Sequence, residues 1–278
     1  NVNTAMMDWY SAQIAQMKED KTNRSTPGMF TEYADVPAAT RIAEVSADAV
    51  ASSGVNLDGY KDAAIVVIGR SGGEGADLYT GEFTDGTSYF ELQDSERELL
   101  KYVASQGFSK TIVLINSSNA MAMDWVNNPE YGVDACLWIG GPGQYGLNAV
   151  AQILVGDVNP SGRLVDTWAA DFTKNPSFVN FGTGCLPDTT DKYDGGMYYS
   201  VDYEEGIYVG YRYYETRGET DGEDWYNANV VYPFGYGLSY TTFDWTVGDA
   251  SASEIELGTT ITVPVTVKNT GSVAGKDV

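Results

Sequence analysis

Histidine is absent from all 278 residues. That absence removes Ser-His-Asp and Cys-His catalysis and every zinc site built on imidazole. Any chemistry here must rest on carboxylates, tyrosine, lysine or a metal held by oxygen. Cysteine is scarce, with only Cys136 and Cys185, enough for one disulfide at most. Cys136 lies in an apolar, strand-like run and reads as a small buried hydrophobe, whereas Cys185 lies in a loop. Basic residues are few: 16 Lys and Arg stand against 39 Asp and Glu, a formal net charge of −23. So acidic a surface repels nucleic acid and anionic membrane, and neither is expected as a partner. Long apolar runs are missing too. None approaches the roughly 20 residues of a transmembrane helix, so no membrane insertion is expected.

What is present supports a real core. The composition is 43% hydrophobic with 20 Tyr and 6 Trp, which excludes global disorder. The length suits one large or two modest domains. The first residue is Asn1 rather than Met, and the chain reads as a processed or excised piece.

Ala63 to Ile68 is a continuous apolar run rich in β-branched residues, as in a strand buried on both faces of a parallel sheet. Thr111 to Ile115 and Asp134 to Ile139 read as two more strands. Between them, Ser95 and Glu98 form a Ser-x-x-Glu capping box that predicts a helix to about Gln106, and Leu147 to Val155 reads as another. This alternation predicts an α/β fold, a mostly parallel sheet with helices on both faces. Upstream, Met6, Met7, Tyr10, Ile14 and Met17 fall near helical spacing over residues 4–19, and a second helical stretch runs from Ala38 to Ser53. Downstream, Tyr193 to Tyr240 is strongly aromatic and glycine-rich. Tyrosines among glycines suit the C–H faces of sugars, and equally suit the packing of long loops onto a sheet. Glu204 and Glu205 read as a turn rather than a catalytic pair, because adjacent side chains point apart. Residues 243–247 and 259–268 alternate as strands do, Asn269 opens a turn, and together they read as the first strands of a β-sandwich.

Two glycine-rich loops follow strands. In Gly69 to Asp77, Glu74 stands between Gly73 and Gly75. Ligands of open parallel sheets bind beyond the carboxyl ends of the strands, so an acid on such a loop is a candidate for chemistry. Spacing alone does not separate it from an ordinary solvated glutamate. The loop lacks the Gly-Lys-Ser/Thr ending of a phosphate cradle. Gly141 to Gly146 fits G-x-G-x-x-G, but it is not the first β-α-β unit and no acidic residue ends a second strand about twenty residues on. A nucleotide cofactor is therefore not expected.

The motifs GRSGGEGAD, GGPGQYG, GDVNPSGRL, EEGIYVGYRYYE and YPFGYGLSYTTF occur in that order. Together they resemble the second domain of glycoside hydrolase family 3, the family of β-glucosidases, β-xylosidases and related exo-acting enzymes. The tail resembles the start of its fibronectin type III-like domain. The resemblance covers residues 61–278 and implies three parts: an N-terminal helical segment 1–60, an α/β sandwich domain 61–240, and the opening of the fibronectin-like domain, 241–278. In that family a barrel domain carries the nucleophilic aspartate and the sandwich supplies the acid/base from the loop matching GGEG. The resemblance thus implies that Glu74 is the general acid/base. It also implies that Arg70 and Asp77 position Glu74 or a sugar, and Leu78 departs from the arginine often found there. It implies no cofactor. The partners it implies are β-linked glucosides or short oligosaccharides, and the barrel domain of the parent protein. Residues 165–182 look like the branch in which the sandwich precedes the barrel, which implies a nucleophile encoded downstream of Val278. The expected function is that of part of a retaining exo-β-glycosidase, inactive alone: a β-glucosidase, with β-xylosidase the alternative. Two classes compete with it: a non-catalytic carbohydrate-binding or scaffolding module, and a nucleotide-binding α/β domain using Gly141 to Gly146.

Overall fold

In the computed structural model, which describes residues 1–19, 42, 44–70, 78–178, 187–188, 198–199 and 203–278, the three apolar runs form one parallel sheet. Its strands are β1 (Ala64–Gly69), β2 (Thr111–Asn116) and β3 (Ala135–Trp138), side by side in that order. The register aligns Val66 with Val113 and Cys136, and Ile68 with Ile115 and Trp138, so these six share a face. Val66, Ile68, Val113 and Ile115 are all buried there. On the opposite face Leu114 is buried in the central strand, but Ile65 and Val67 of β1 are 52% and 46% exposed. Burial on both faces thus holds for β2 and not for β1. Among the described residues β1 is an edge strand, with a neighbour on one side only.

Between β1 and β2 runs α3 (Asp94–Ser105), which buries Leu99, Leu100 and Val103. It begins after Gln93, not at Ser95: the Glu96 carboxylate accepts the Gln93 N–H at 2.8 Å, the task expected of Glu98. The N-terminal helix is α1 (Thr4–Glu19). Of the stretch expected to be helical from Ala38, residues 38–41 and 43 lie outside the described residues. The described helix there is α2 (Ala47–Ala51), capped by Ser46, whose hydroxyl accepts the Ala49 N–H at 3.2 Å.

These elements belong to a compact unit of residues 1–142 and 166–233. It also contains β4 (Trp168–Ala169), the short antiparallel pair β5 (Pro187–Asp188) and β6 (Tyr198–Tyr199), α5 (Tyr211–Asp221), α6 (Glu223–Asn229) and β7 (Val230–Tyr232), which pairs antiparallel with β4. Tyr214, Ala169 and Val230 form a small core where α5 and α6 meet this ribbon, with Tyr213 and Trp225 packed against it.

A second unit comprises residues 143–165 and 234–278. It holds α4 (Leu147–Leu154) and the antiparallel strands β8 (Phe243–Val247) and β9 (Val265–Asn269). Asn159 accepts from both the Ser239 hydroxyl and the Tyr240 N–H, while the Tyr240 hydroxyl donates to Ile153 O at 2.9 Å. β9 is shorter than the alternating stretch 259–268 predicts. It starts just after Pro264, which has no N–H to give a ladder. Among the described residues no helix is long and apolar enough to cross a membrane.

Candidate active site

The carboxyl end of β1 is held by one buried arginine. Arg70, 6% exposed, follows Gly69 directly, and its backbone N–H extends the ladder to Asn116 O at 3.1 Å. Its guanidinium has five N–H groups and all five are taken. Nε donates to Tyr89 O at 2.8 Å. Nη1 donates to Gly69 O at 2.8 Å and Glu96 Oε1 at 2.7 Å, and Nη2 to Glu91 O at 2.7 Å and Glu96 Oε2 at 2.8 Å. The guanidinium also lies 5.3 Å from the Tyr89 ring centroid. Glu96 is 2% exposed, so the pair is desolvated, bidentate and hydrogen-bonded throughout, the condition under which a buried ion pair holds.

Residues 71–77, and with them Glu74 and Asp77, lie outside the described residues. Both flanks of that loop are described. On its far side, Leu78 and Tyr79 pack against the buried cluster of Ile42, Phe83 and Tyr89. Leu78 therefore fills an apolar contact where the resemblance leads one to expect a cation. Tyr89 joins the two flanks: its ring belongs to this cluster and its carbonyl accepts from Arg70. Arg70 has no N–H left to offer a sugar hydroxyl.

Sequence reasoning passed over Glu96. Its one signal was the Gln93-x-x-Glu96 spacing, which was masked by the stronger Ser95-x-x-Glu98 match two residues later.

Comparison with known proteins now bears on this arrangement. The family model for the glycosyl hydrolase family 3 C-terminal domain matches residues 1–211. The chain belongs to glycosyl hydrolase family 3. The match reaches residue 1, so it takes in α1 and α2, which none of the motifs touch. The family 3 chain is 33% identical over 217 residues to thermostable beta-glucosidase B of Acetivibrio thermocellus, an alignment covering 78% of this chain and 24% of that protein. Among solved structures it resembles a beta-glucosidase from Paenibacillus barengoltzii (TM-score 0.60, 37% identity, 76% of this chain and 20% of that one). It also resembles beta-glucosidase 3B from Thermotoga neapolitana (TM-score 0.59, 32% identity, 94% of this chain and 32% of that one). The chain thus spans a fifth to a third of the length of these relatives.

One further titratable group lies near the Arg70–Glu96 pair in this family 3 domain. Glu44 is partly buried, its Oε1 accepts the Val45 N–H at 2.9 Å, and the Tyr10 hydroxyl of α1 donates to the same carboxylate. Burial pushes the Glu44 carboxyl up to about 7, and the negative charge of Glu96 adds to the rise against its two hydrogen bonds. Because the folded chain holds this proton more tightly than the unfolded one, its stabilising contribution is complete below the ordinary carboxyl range near 4.5. It is lost as pH rises through about 7. The loss is on the order of 3 kcal/mol. Urea unfolding at about pH 5 and about pH 8 is expected to show that decline in the wild type. In Glu44→Gln, which keeps the hydrogen bonds and cannot ionise, the decline shrinks by that amount. An equal pH slope in both proteins would mean that Glu44 is ionised and solvated.

Cys136, on β3, is a partly buried thiol pushed up to about 12 by its burial, in line with a packing role; Cys185 lies outside the described residues.

Proposed function

We propose that this chain is the acid/base-bearing part of a retaining exo-β-glycosidase, a β-glucosidase. What carries the reading is that β-glucosidases align along most of the chain, including the strand end that leads into the Gly-Gly-Glu-Gly loop. Within it, Glu74 protonates the glycosidic oxygen and then deprotonates the attacking water. The nucleophilic carboxylate comes from a barrel domain of the parent polypeptide. Arg70, locked by Glu96, positions the start of the loop, and Asp77 assists at its end. β8 and β9 are the opening strands of the fibronectin type III-like domain. The substrates are β-linked glucosides or short oligosaccharides.

The test is hydrolysis of aryl β-glucoside and aryl β-xyloside by the full-length parent, wild type against Glu74→Ala. Faster turnover of the glucoside, with a large loss in the variant, supports the proposal. Faster turnover of the xyloside makes the enzyme a β-xylosidase, and an unchanged variant places the acid/base on another residue.

A further inference from the structure

Among the described residues β1 borders the sheet on one side, yet nothing in it is built for an edge. Strands at natural edges carry lysine, proline or a bulge, or are very short, because an open row of N–H and C=O groups invites pairing. β1 spans 6 residues without a charge or a proline, and its register with β2 is unbroken from Ala64 beside Thr111 to Gly69 beside Asn116. The Ala64 N–H donates to Lys110 O at 2.8 Å and the Arg70 N–H to Asn116 O at 3.1 Å, so the even-numbered residues face β2. The backbone N–H and C=O groups of Ile65 and Val67 therefore point to the open edge.

The side chains of the same two residues are open as well. Ile65 is 52% and Val67 46% exposed, whereas Leu114, beside Val67 in the sheet, is 6% exposed. The face is thus covered over β2 and bare over β1. Parallel sheets occur almost only with both faces covered by helices. A bare backbone edge and a bare apolar face on one strand fit a single occupant, a further strand beside β1 whose helix packs over Ile65 and Val67. A second copy of the chain is disfavoured as its source, because docking would bring together two formal net charges of −23. The relatives hold far more polypeptide than this: the chain spans 20% and 32% of the two β-glucosidase structures compared above.

We infer that β1 is an interior strand of a larger sheet, and that a strand–helix segment of the parent polypeptide, outside these 278 residues, pairs with Ile65 and Val67 and covers their side chains. The inference stands on the edge, the bare face and the relatives' length, whether or not Glu74 is the acid/base.

Residue-resolved hydrogen exchange in the 278-residue chain and in the full-length parent tests it. In this chain the Ile65 and Val67 amides should exchange at least about tenfold faster than those of Val66 and Ile68, and in the parent all four should be protected alike. Val67→Lys should leave the thermal midpoint of this chain within about 1 °C, as at other exposed positions. In the parent it buries a charge, and the midpoint should fall by about 5 °C or more. Val67→Thr, a milder change, should give the same contrast on a smaller scale where the lysine variant of the parent fails to fold. Three results overturn the inference. Fast exchange of both amides in the parent, with Val67→Lys harmless there, leaves β1 an edge. Slow exchange in this chain at every concentration places the pairing strand within the 278 residues. Protection that grows with concentration, alongside a dimer in sedimentation that Val67→Lys abolishes, makes the occupant a second copy.

Discussion

Glu74→Ala in the full-length parent is expected to slow hydrolysis of an alkyl β-glucoside by about two to four orders of magnitude, the usual contribution of a positioned general acid. A dinitrophenyl β-glucoside should lose far less in its first step, because its leaving group departs as a stable anion and needs no proton. The contrast between the two substrates is therefore the diagnostic. A variant that had merely lost its fold or its grip on the sugar would slow both alike. In the proposed retaining mechanism the same carboxyl would act as base in the second step, so with the activated substrate the glycosyl-enzyme should accumulate in the variant. Azide attacks that intermediate without base assistance, and it is expected to restore turnover of the dinitrophenyl substrate and yield a β-glycosyl azide. The alkaline limb of the wild-type pH profile, set by loss of the acid's proton, should flatten as well. Equal losses on both substrates, with no azide rescue, would remove Glu74 from the acid/base role and leave the family membership standing.

The parts of the fold legible in the sequence are those written in local pattern. β2 shows as an apolar run because its position at the centre of the sheet requires apolar residues on both faces. β1 reads the same way, yet Ile65 and Val67 are half exposed in the structure. A run of β-branched residues reports strand propensity as much as burial. The start of α3 was misread because Ser is a far commoner N-cap than Gln. What moved the true start to Gln93 is Glu96, and Glu96 is fixed by an arginine 26 residues earlier in the chain. No local window contains both partners. Glu204 and Glu205 were legible as well, because the reading needed only local pattern: they fall in a turn over residues 204–207. The role proposed for Glu74, by contrast, rests on likeness to a family, since spacing alone does not separate a catalytic glutamate from a solvated one.

Breaking the Arg70–Glu96 pair should be the costliest single change to stability. Arg70→Ala leaves the Glu96 carboxylate, 2% exposed, without its counter-charge, and removes the donors to the carbonyls of Gly69, Tyr89 and Glu91. Removing one partner of a buried pair costs roughly 3–5 kcal/mol. Glu96→Ala should cost a similar amount: it strands the guanidinium and also frees the Gln93 N–H that caps α3. The double variant Arg70→Met with Glu96→Leu separates charge from hydrogen bonding. It buries no lone charge, so its loss in urea unfolding is expected to fall well short of the sum of the singles. It should not return to wild type, because the Gly69 and Tyr89 carbonyls and the Gln93 N–H lose these partners, while Glu91 O keeps the Gln93 side-chain amide at 3.2 Å, and a buried polar group left unpaired costs about 1–3 kcal/mol. A cycle with no coupling between the two positions would mean that each is held by its backbone contacts alone. Losses under about 1 kcal/mol for both singles would mean that water screens the pair. In either case something other than this ion pair would fix the strand end from which the Glu74 loop departs.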